Sequence, residues 1–206
     1  MKIQNLPSGP LMVNTYLATD EETGKGFIVD PGGFDQRLVD EVHREQIEIE
    51  YIILTHGHAD HMGGVHRYQE LYPNAKLVAA AAEEKMLADP NLNFSVMTLG
   101  APIVLQADIL VGEGDILNVG NLELKFIMTP GHTEGGMCIL SGNVLFSGDT
   151  LFQASIGRTD FPGGSFPQLR DAIHQKLFVL PDQINVFPGH MGYTTIGEEK
   201  RNNPFV

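Results

Sequence analysis

Residues 53–64 read ILTHGHADHMGG. Three histidines and an aspartate are crowded together directly behind an apolar run. Imidazole and carboxylate at that density suit a metal ion, and other segments enlarge the set. FIMTPGH ends at His132, VLFSGD at Asp149 and INVFPGH at His190. Each follows a stretch of strand character, and each candidate is preceded by a glycine: Gly131, Gly148 or Gly189. Loops at strand ends collect ligands on a rigid base. Glycine permits the tight backbone that turns a side chain toward a common centre. The pooled candidates are His56, His58, Asp60, His61, His132, Asp149 and His190. Imidazoles mixed with carboxylates suit Zn, Fe, Mn or Ni better than Ca or Mg, which favour all-oxygen shells. A purely structural site closes with four ligands. The larger set suits two ions that share a carboxylate and a hydroxide, about 3.5–4 Å apart. His43, His66 and His174 fall on helical patterns without such context and read as ordinary surface histidines.

The elements that must carry these residues are legible as patterns. NTYLAT and GFIVDPGG read as strands, the second ending in a Pro-Gly turn. From Asp35 the pattern is helical, with Leu38, Val39 and Val42 on one face. IEYIILTH is almost continuously apolar, as a strand buried on both faces would be. Met62, Val65 and Tyr68 predict one helix before Pro73. KLVAA predicts a strand and AAEEKMLAD a short helix. In LELKFIMTPGH, Leu122, Leu124, Phe126 and Met128 share a face at period two. GMCILSGNVLFSGDT predicts a hairpin turning at Gly142-Asn143. Ser165 is expected to cap a helix whose apolar face is Phe166, Leu169, Ile173, Leu177 and Leu180. INVFPGH is a last strand, followed by a short polar tail. Strands outnumber helices and the two recur in turn. The expected class is α+β: two mixed sheets packed together, with helices on the outer faces.

Composition narrows the function. The 206 residues suit one domain spanning 1–206. Acidic residues number 26 against 13 basic, for a net charge of −13. Such a surface repels phosphate backbones, so no nucleic-acid partner is expected. No apolar run approaches the roughly 18 residues of a spanning helix, so no membrane is expected either. MKIQNLPSGP lacks the apolar core of a secretory leader, which points to a soluble cytoplasmic protein. Cys138 is the one cysteine, so no internal disulfide forms. It sits in the apolar run GMCIL and reads as a small core residue.

THGHADH, PGHT at 130–133, SGDTLF at 147–152 and FPGH at 187–190 resemble the metallo-β-lactamase superfamily, and IVDPGG at 28–33 resembles its early strand-end motif. The match leans to the glyoxalase II-like branch, the hydroxyacylglutathione hydrolases. The reasons are His61 beside Asp60, His190 as last ligand, and GDTLF followed by SIGRTDFPGGS. True β-lactamases match less well, because their second site typically lacks a counterpart of His61. The resemblance implies an αββα sandwich with the site at the sheet edge. It assigns His56, His58 and His132 to a first metal, Asp60, His61 and His190 to a second, and Asp149 as the bridge. It makes Asp60 and Asp149 the catalytic carboxylates, and Asp30 a group that orients a ligand histidine from behind. It implies two divalent ions, zinc first, with iron or manganese as alternatives. The implied activity is hydrolysis of a small-molecule thioester such as an S-2-hydroxyacylglutathione.

The chain departs from that branch in places. Arg158 and Asp160 stand where the branch carries Lys and Tyr for the thiol. Arg158 could hold a substrate carboxylate, or pair with Asp160. Too few residues follow His190 for the branch's C-terminal helical domain. A rival reading is also open. His56, His132 and Asp149 form the two-histidine, one-carboxylate set of non-haem Fe(II) oxygenases. Persulfide dioxygenases of the same superfamily share the GRTDF loop. Segments 92–97 and 158–165 are the expected substrate walls.

Overall fold

The computed structural model describes residues 1–206. The first sheet holds β1 (Lys2–Asn5), β2 (Tyr16–Asp20), β3 (Lys25–Val29), β4 (Glu48–Ile53), β5 (Lys76–Ala80) and β6 (Ile109–Val111), in that spatial order. β1, β2 and β3 are antiparallel; β3 to β6 are parallel. Parallel neighbours need crossovers. These run through α1 (Gln36–Arg44), then α2 (Ala59–Met62) and α3 (Val65–Leu71), then α4 (Glu84–Ala88) and α5 (Ser95–Leu99).

The second sheet begins with β7 (Ile116–Val119), β8 (Leu122–Met128), β9 (Met137–Ser141) and β10 (Val144–Gly148), antiparallel throughout. The small hairpin β11 (Leu151–Phe152) and β12 (Ser155–Ile156) follows. A crossover through α6 (Phe166–Ala172) brings β13 (Asn185–Pro188) parallel to β10. β14 (Thr194–Thr195) closes the sheet and α7 (Ile196–Asn202) packs after it.

Three apolar layers make this α+β sandwich. Tyr16, Phe27, Val29, Ile53 and Val78 of the first sheet meet Leu124, Phe126, Met137, Ile139 and Phe146 of the second. Leu17, Ile28, Ile52 and Leu77 point the other way, against Leu38, Val39 and Val42 of α1 and Val65 and Tyr68 of α3. Ile127, Cys138, Leu145 and Val186 face Leu169, Ile173, Leu177 and Ile196. β3, β5, β9 and β10 are therefore covered on both faces, which is why their sequences are apolar without alternation, whereas β8 keeps Glu123 and Lys125 exposed.

Three local expectations are corrected. The single helix over Met62–Tyr68 is two helices, broken at Gly63-Gly64. There the chain lies directly on the Pro31-Gly32-Gly33 turn: a Cβ on Gly64 would stand 2.7 Å from Gly33 O. Ser165 begins α6 without capping it through its side chain. Its amide instead donates to Gly131 O at 2.7 Å. Phe166 is 42% exposed, and the helix widens into a π-turn over Ile173–Leu177 that keeps Ile173 and Leu177 inside. The polar tail is not a tail. Thr195 caps α7 through Glu198 N at 3.1 Å, and buried Glu199 accepts from Ala154 N at 2.9 Å and Asn203 Nδ2 at 2.8 Å. Inward hydrogen bonds and the one buried apolar side chain of Ile196 dock that segment, too little apolar pattern for hydropathy to mark it.

Phe146 is fully buried where the sheets meet, in ring contact with Tyr16, Phe27 and Phe187. Phe146→Ala is expected to cost about 3–5 kcal/mol of stability. Denaturant unfolding followed by circular dichroism measures it.

Candidate metal centre

Apolar strands of both sheets end at one edge of the sandwich. β4 delivers His56 and His58 on the following turn, and Asp60 and His61 on α2. β8 leads to His132, β10 to Asp149 and β13 to His190. The backbone there is tight. Gly131 and Gly148 hold φ of +134° and +49°. At Gly189 a Cβ would meet Asp149 Oδ1 at 2.5 Å and His61 Cε1 at 2.6 Å.

All seven sequence candidates come together. The ligating atoms of His56, His58 and His132 lie within 4.8 Å of one another, and so do those of Asp60, His61 and His190. A third group of the same tightness, His56, His61 and Asp149, joins them. Asp149 stands between: Oδ1 is 3.3 Å from His61 Nε2, and Oδ2 is 3.6 Å from His132 Nε2 and 3.7 Å from His190 Nε2. Asp60 Oδ2 is 3.4 Å from His190 Nε2. Exposed His43, His66 and His174 stay on their helices, away from the centre.

The donor set fits divalent cations. Nε2 of His56 and His61 and Oδ1 of Asp149 are buried without a hydrogen-bond partner, and Nδ1 of His58 faces Nε2 of His132 at 3.0 Å. Leaving such atoms unmet is costly. The tautomers agree. His132 Nδ1 faces the carbonyl oxygen of Arg158 at 2.7 Å, an acceptor only, so Nδ1 carries the proton and the Nε2 lone pair faces inward. His61 Nδ1 likewise donates to Asp30 Oδ2 at 3.0 Å, leaving its Nε2 free. Asp30 itself accepts from Thr55 N at 2.8 Å and Thr55 Oγ1 at 2.6 Å, with φ at +48°. A carboxylate behind a histidine is how ligand rings are held and made more basic.

Electrostatics points the same way. Burial, then neighbouring His132, pushes His58 down to about 3, and burial and the other imidazoles hold His56 well below its usual value. Both are neutral lone-pair donors at neutral pH. Burial opposes a proton on His61, yet Asp149, Asp30 and Asp60 outweigh it and draw positive charge to this point. Burial likewise pushes the Asp149 carboxyl up, but His61, His132 and His190 together hold it below the usual carboxylate range.

A cleft of about 560 Å³ opens on the centre. Phe94, Met97, Phe161 and Arg158 line it, from the two segments expected to wall the substrate. Arg158 is not free. Its Nε and Nη2 each reach Asp160 at 2.8 Å, and its guanidinium lies 3.8 Å over the Phe161 ring. Leu11 and Met191 complete the rim and carried no signal in the sequence.

Glu83 was also missed. It reads as one of two acids at a solvated helix end, yet it is 1% exposed. Its Oε2 accepts from Gly57 N and its Oε1 from Gly135 N, both at 2.7 Å. One carboxylate thus ties the His56–His58 turn to the turn that follows His132. Burial raises its pKa against those hydrogen bonds.

Residues 8–190 match the model of the metallo-beta-lactamase superfamily, and the chain belongs to that superfamily of metal-dependent hydrolases. The hydroxyacylglutathione hydrolase GloC of Haemophilus influenzae is 35% identical over 211 residues, covering 100% of this chain and 98% of its own. Among solved structures, the BLEG-1 B3 metallo-beta-lactamase superposes with a TM-score of 0.92 at 37% identity, covering 99% of each chain. ETHE1 from Myxococcus xanthus superposes at 0.84 with 31% identity, covering 99% of this chain and 84% of its own. No helix of the chain is long and apolar enough to cross a membrane.

Glu83→Gln keeps the shape but puts an amide donor against a backbone N–H. Metal binding by the His56, His58 and His132 group is expected to weaken about 10–100-fold, with the Asp60, His61 and His190 group little changed. Chelator competition with counted metal reads the two groups separately.

Proposed function

We propose that this protein is a dinuclear metal-dependent thioesterase, with S-2-hydroxyacylglutathiones the first substrates to test. The observation that carries this reading is the arrangement of seven ligands as two groups with Asp149 between them. In this reading His56, His58 and His132 would hold one ion and Asp60, His61 and His190 the other, with Asp149 placed between the two groups. Bound divalent ions would supply a hydroxide nucleophile at neutral pH and positive charge for a developing oxyanion.

The chain's own groups do the rest. Asp60 and Asp149 both line the cleft, where either carboxylate can accept the single proton that a water gives up in becoming hydroxide. Asp30 keeps His61 in one tautomer, and the Arg158 carbonyl does the same for His132. Attack on the carbonyl carbon breaks the C–S bond and releases a carboxylate and a thiolate. A thiolate leaves without a strong general acid, whereas an amine needs one. The thioester reading therefore asks for no acid beyond the ligand residues that line the cleft. The name of the GloC relative supports the same bond.

The likeness to ETHE1 keeps a second reading in view. One iron held by His56, His132 and Asp149 would serve a persulfide dioxygenase. The Asp60, His61 and His190 group then has no metal to hold, and that counts against it.

Turnover of S-D-lactoylglutathione by protein of counted metal decides between them. Hydrolysis with two metals per chain supports the thioesterase. One iron per chain, no hydrolysis and oxygen uptake with a persulfide replace it by the dioxygenase. Asp149→Ala is expected to lower kcat by at least about a thousandfold and to reduce the bound metal. Full activity in that variant removes Asp149 from its assigned place.

A further inference from the structure

The cleft wall is built for something other than a charged peptide. Beyond the ligand residues, its lining is Leu11, Phe94, Met97, Phe152, Ile156, Phe161 and Met191, with Asn93, Thr98 and Arg158 as the polar members. Asn93 has nothing to offer a substrate. Its Nδ2 donates to Met86 O at 3.2 Å and Ile103 O at 3.0 Å, and its Oδ1 accepts from Ser95 N at 2.9 Å. Arg158 is the one cation in the wall, and Asp160 already occupies its fork. Glutathione brings two carboxylates and one ammonium. Neither carboxylate finds an unpaired cation here, on a chain whose net charge is −13.

The apolar side is developed. The Phe94 and Phe161 rings lie 4.8 Å apart, tilted at 49°, and stand 5.6 and 5.7 Å from the His58 ring, directly beside the reacting centre. Phe94 is held in the left-handed region, φ 62° and ψ 18°, by the hydrogen bonds of Asn93. Strained backbone on a site wall aims a side chain. At the mouth, Met97 is 73% exposed, Met191 59% and Leu11 55%. An apolar rim of this kind on a cleft marks a binding surface.

We infer that the site takes uncharged thioesters with an apolar or aromatic arm, laid on Phe94, Phe161 and Met97, in preference to peptidyl thioesters that carry two carboxylates. This rests on the thioesterase reading and names its substrate class.

The test uses the metal-loaded full chain and three thioesters. S-D-lactoylglutathione and S-D-lactoyl-N-acetylcysteamine share an acyl group and differ in charge. S-phenyllactoyl-N-acetylcysteamine adds an aromatic arm. Its kcat/KM is expected to exceed that of lactoylglutathione by about tenfold or more, chiefly through KM. Met97→Asp changes an exposed residue, so folding is not at stake. It is expected to raise the KM of the aromatic thioester about fivefold. Asp160→Asn releases the Arg158 fork. It is expected to shift the kcat/KM ratio about fivefold toward lactoylglutathione. Preference of the wild type for lactoylglutathione overturns this inference and leaves the thioesterase standing. Absence of turnover on all three, with two metals bound, overturns both.

Discussion

Lone pairs that face one another inside the protein set the terms for the rest of the structure. Ligand atoms of His56, His61 and Asp149 come within 4.8 Å of one another, and Nε2 of each histidine and Oδ1 of the aspartate have no hydrogen-bond partner. Each unmet buried group costs about 1–3 kcal/mol. A divalent cation turns that cost into binding energy. The ligands come from both halves of the sandwich: His56, His58, Asp60 and His61 follow β4, while His132, Asp149 and His190 follow strands of the other sheet. A bound cation therefore links the two sheets at their shared edge. Metal affinity and the closure of the sandwich draw on the same free energy.

The groups behind the ligands follow from that demand. A neutral histidine offers its lone pair inward only if its outer nitrogen meets an acceptor. Asp30 supplies one for His61, and the Arg158 carbonyl supplies one for His132. Asp30 occupies a left-handed backbone state that costs a non-glycine residue of order 1–3 kcal/mol. Its hydrogen bonds to Thr55 and His61 offset that cost. Glu83 solves a different problem. Two ligand-bearing turns lie far apart in sequence, and one buried carboxylate accepts an amide from each. The ligand geometry is thus held by acceptors that never need to touch a metal.

The ligands were legible in the sequence because His132, Asp149 and His190 each stand at the end of an apolar run, beside a glycine, and the other four crowd behind a fourth such run. Strand periodicity and the resemblance located the strands that flank them. Asp30 was legible only through the motif, since a turn aspartate before proline has an ordinary reading. Glu83 was not legible at all. An acid in AAEEK has the pattern of a solvated helix end, and only the approach of Gly57 and Gly135 makes it internal. The same blindness hid α7, where Glu199 is drawn inward by the amide of Ala154 and the side chain of Asn203. Hydropathy marks what avoids water. It is silent about polar groups that leave water for a specific partner.

Proteins with three different names align with nearly all of this chain at 31–37% identity. The strand-end ligands are a property of the fold, so they do not discriminate among those names. The wall of the cleft does, and it is carried by short connecting segments. Residue 158 shows how the two are kept apart. Its carbonyl oxygen orients His132, while its side chain faces the cleft and pairs with Asp160. The backbone faces the histidine cluster and the side chain faces the cleft. Substitution at this position can therefore change what binds without disturbing His132, because every residue type supplies the same carbonyl. A superfamily built this way can exchange substrates by side-chain replacement in its loops while the ligands at the strand ends stay in place.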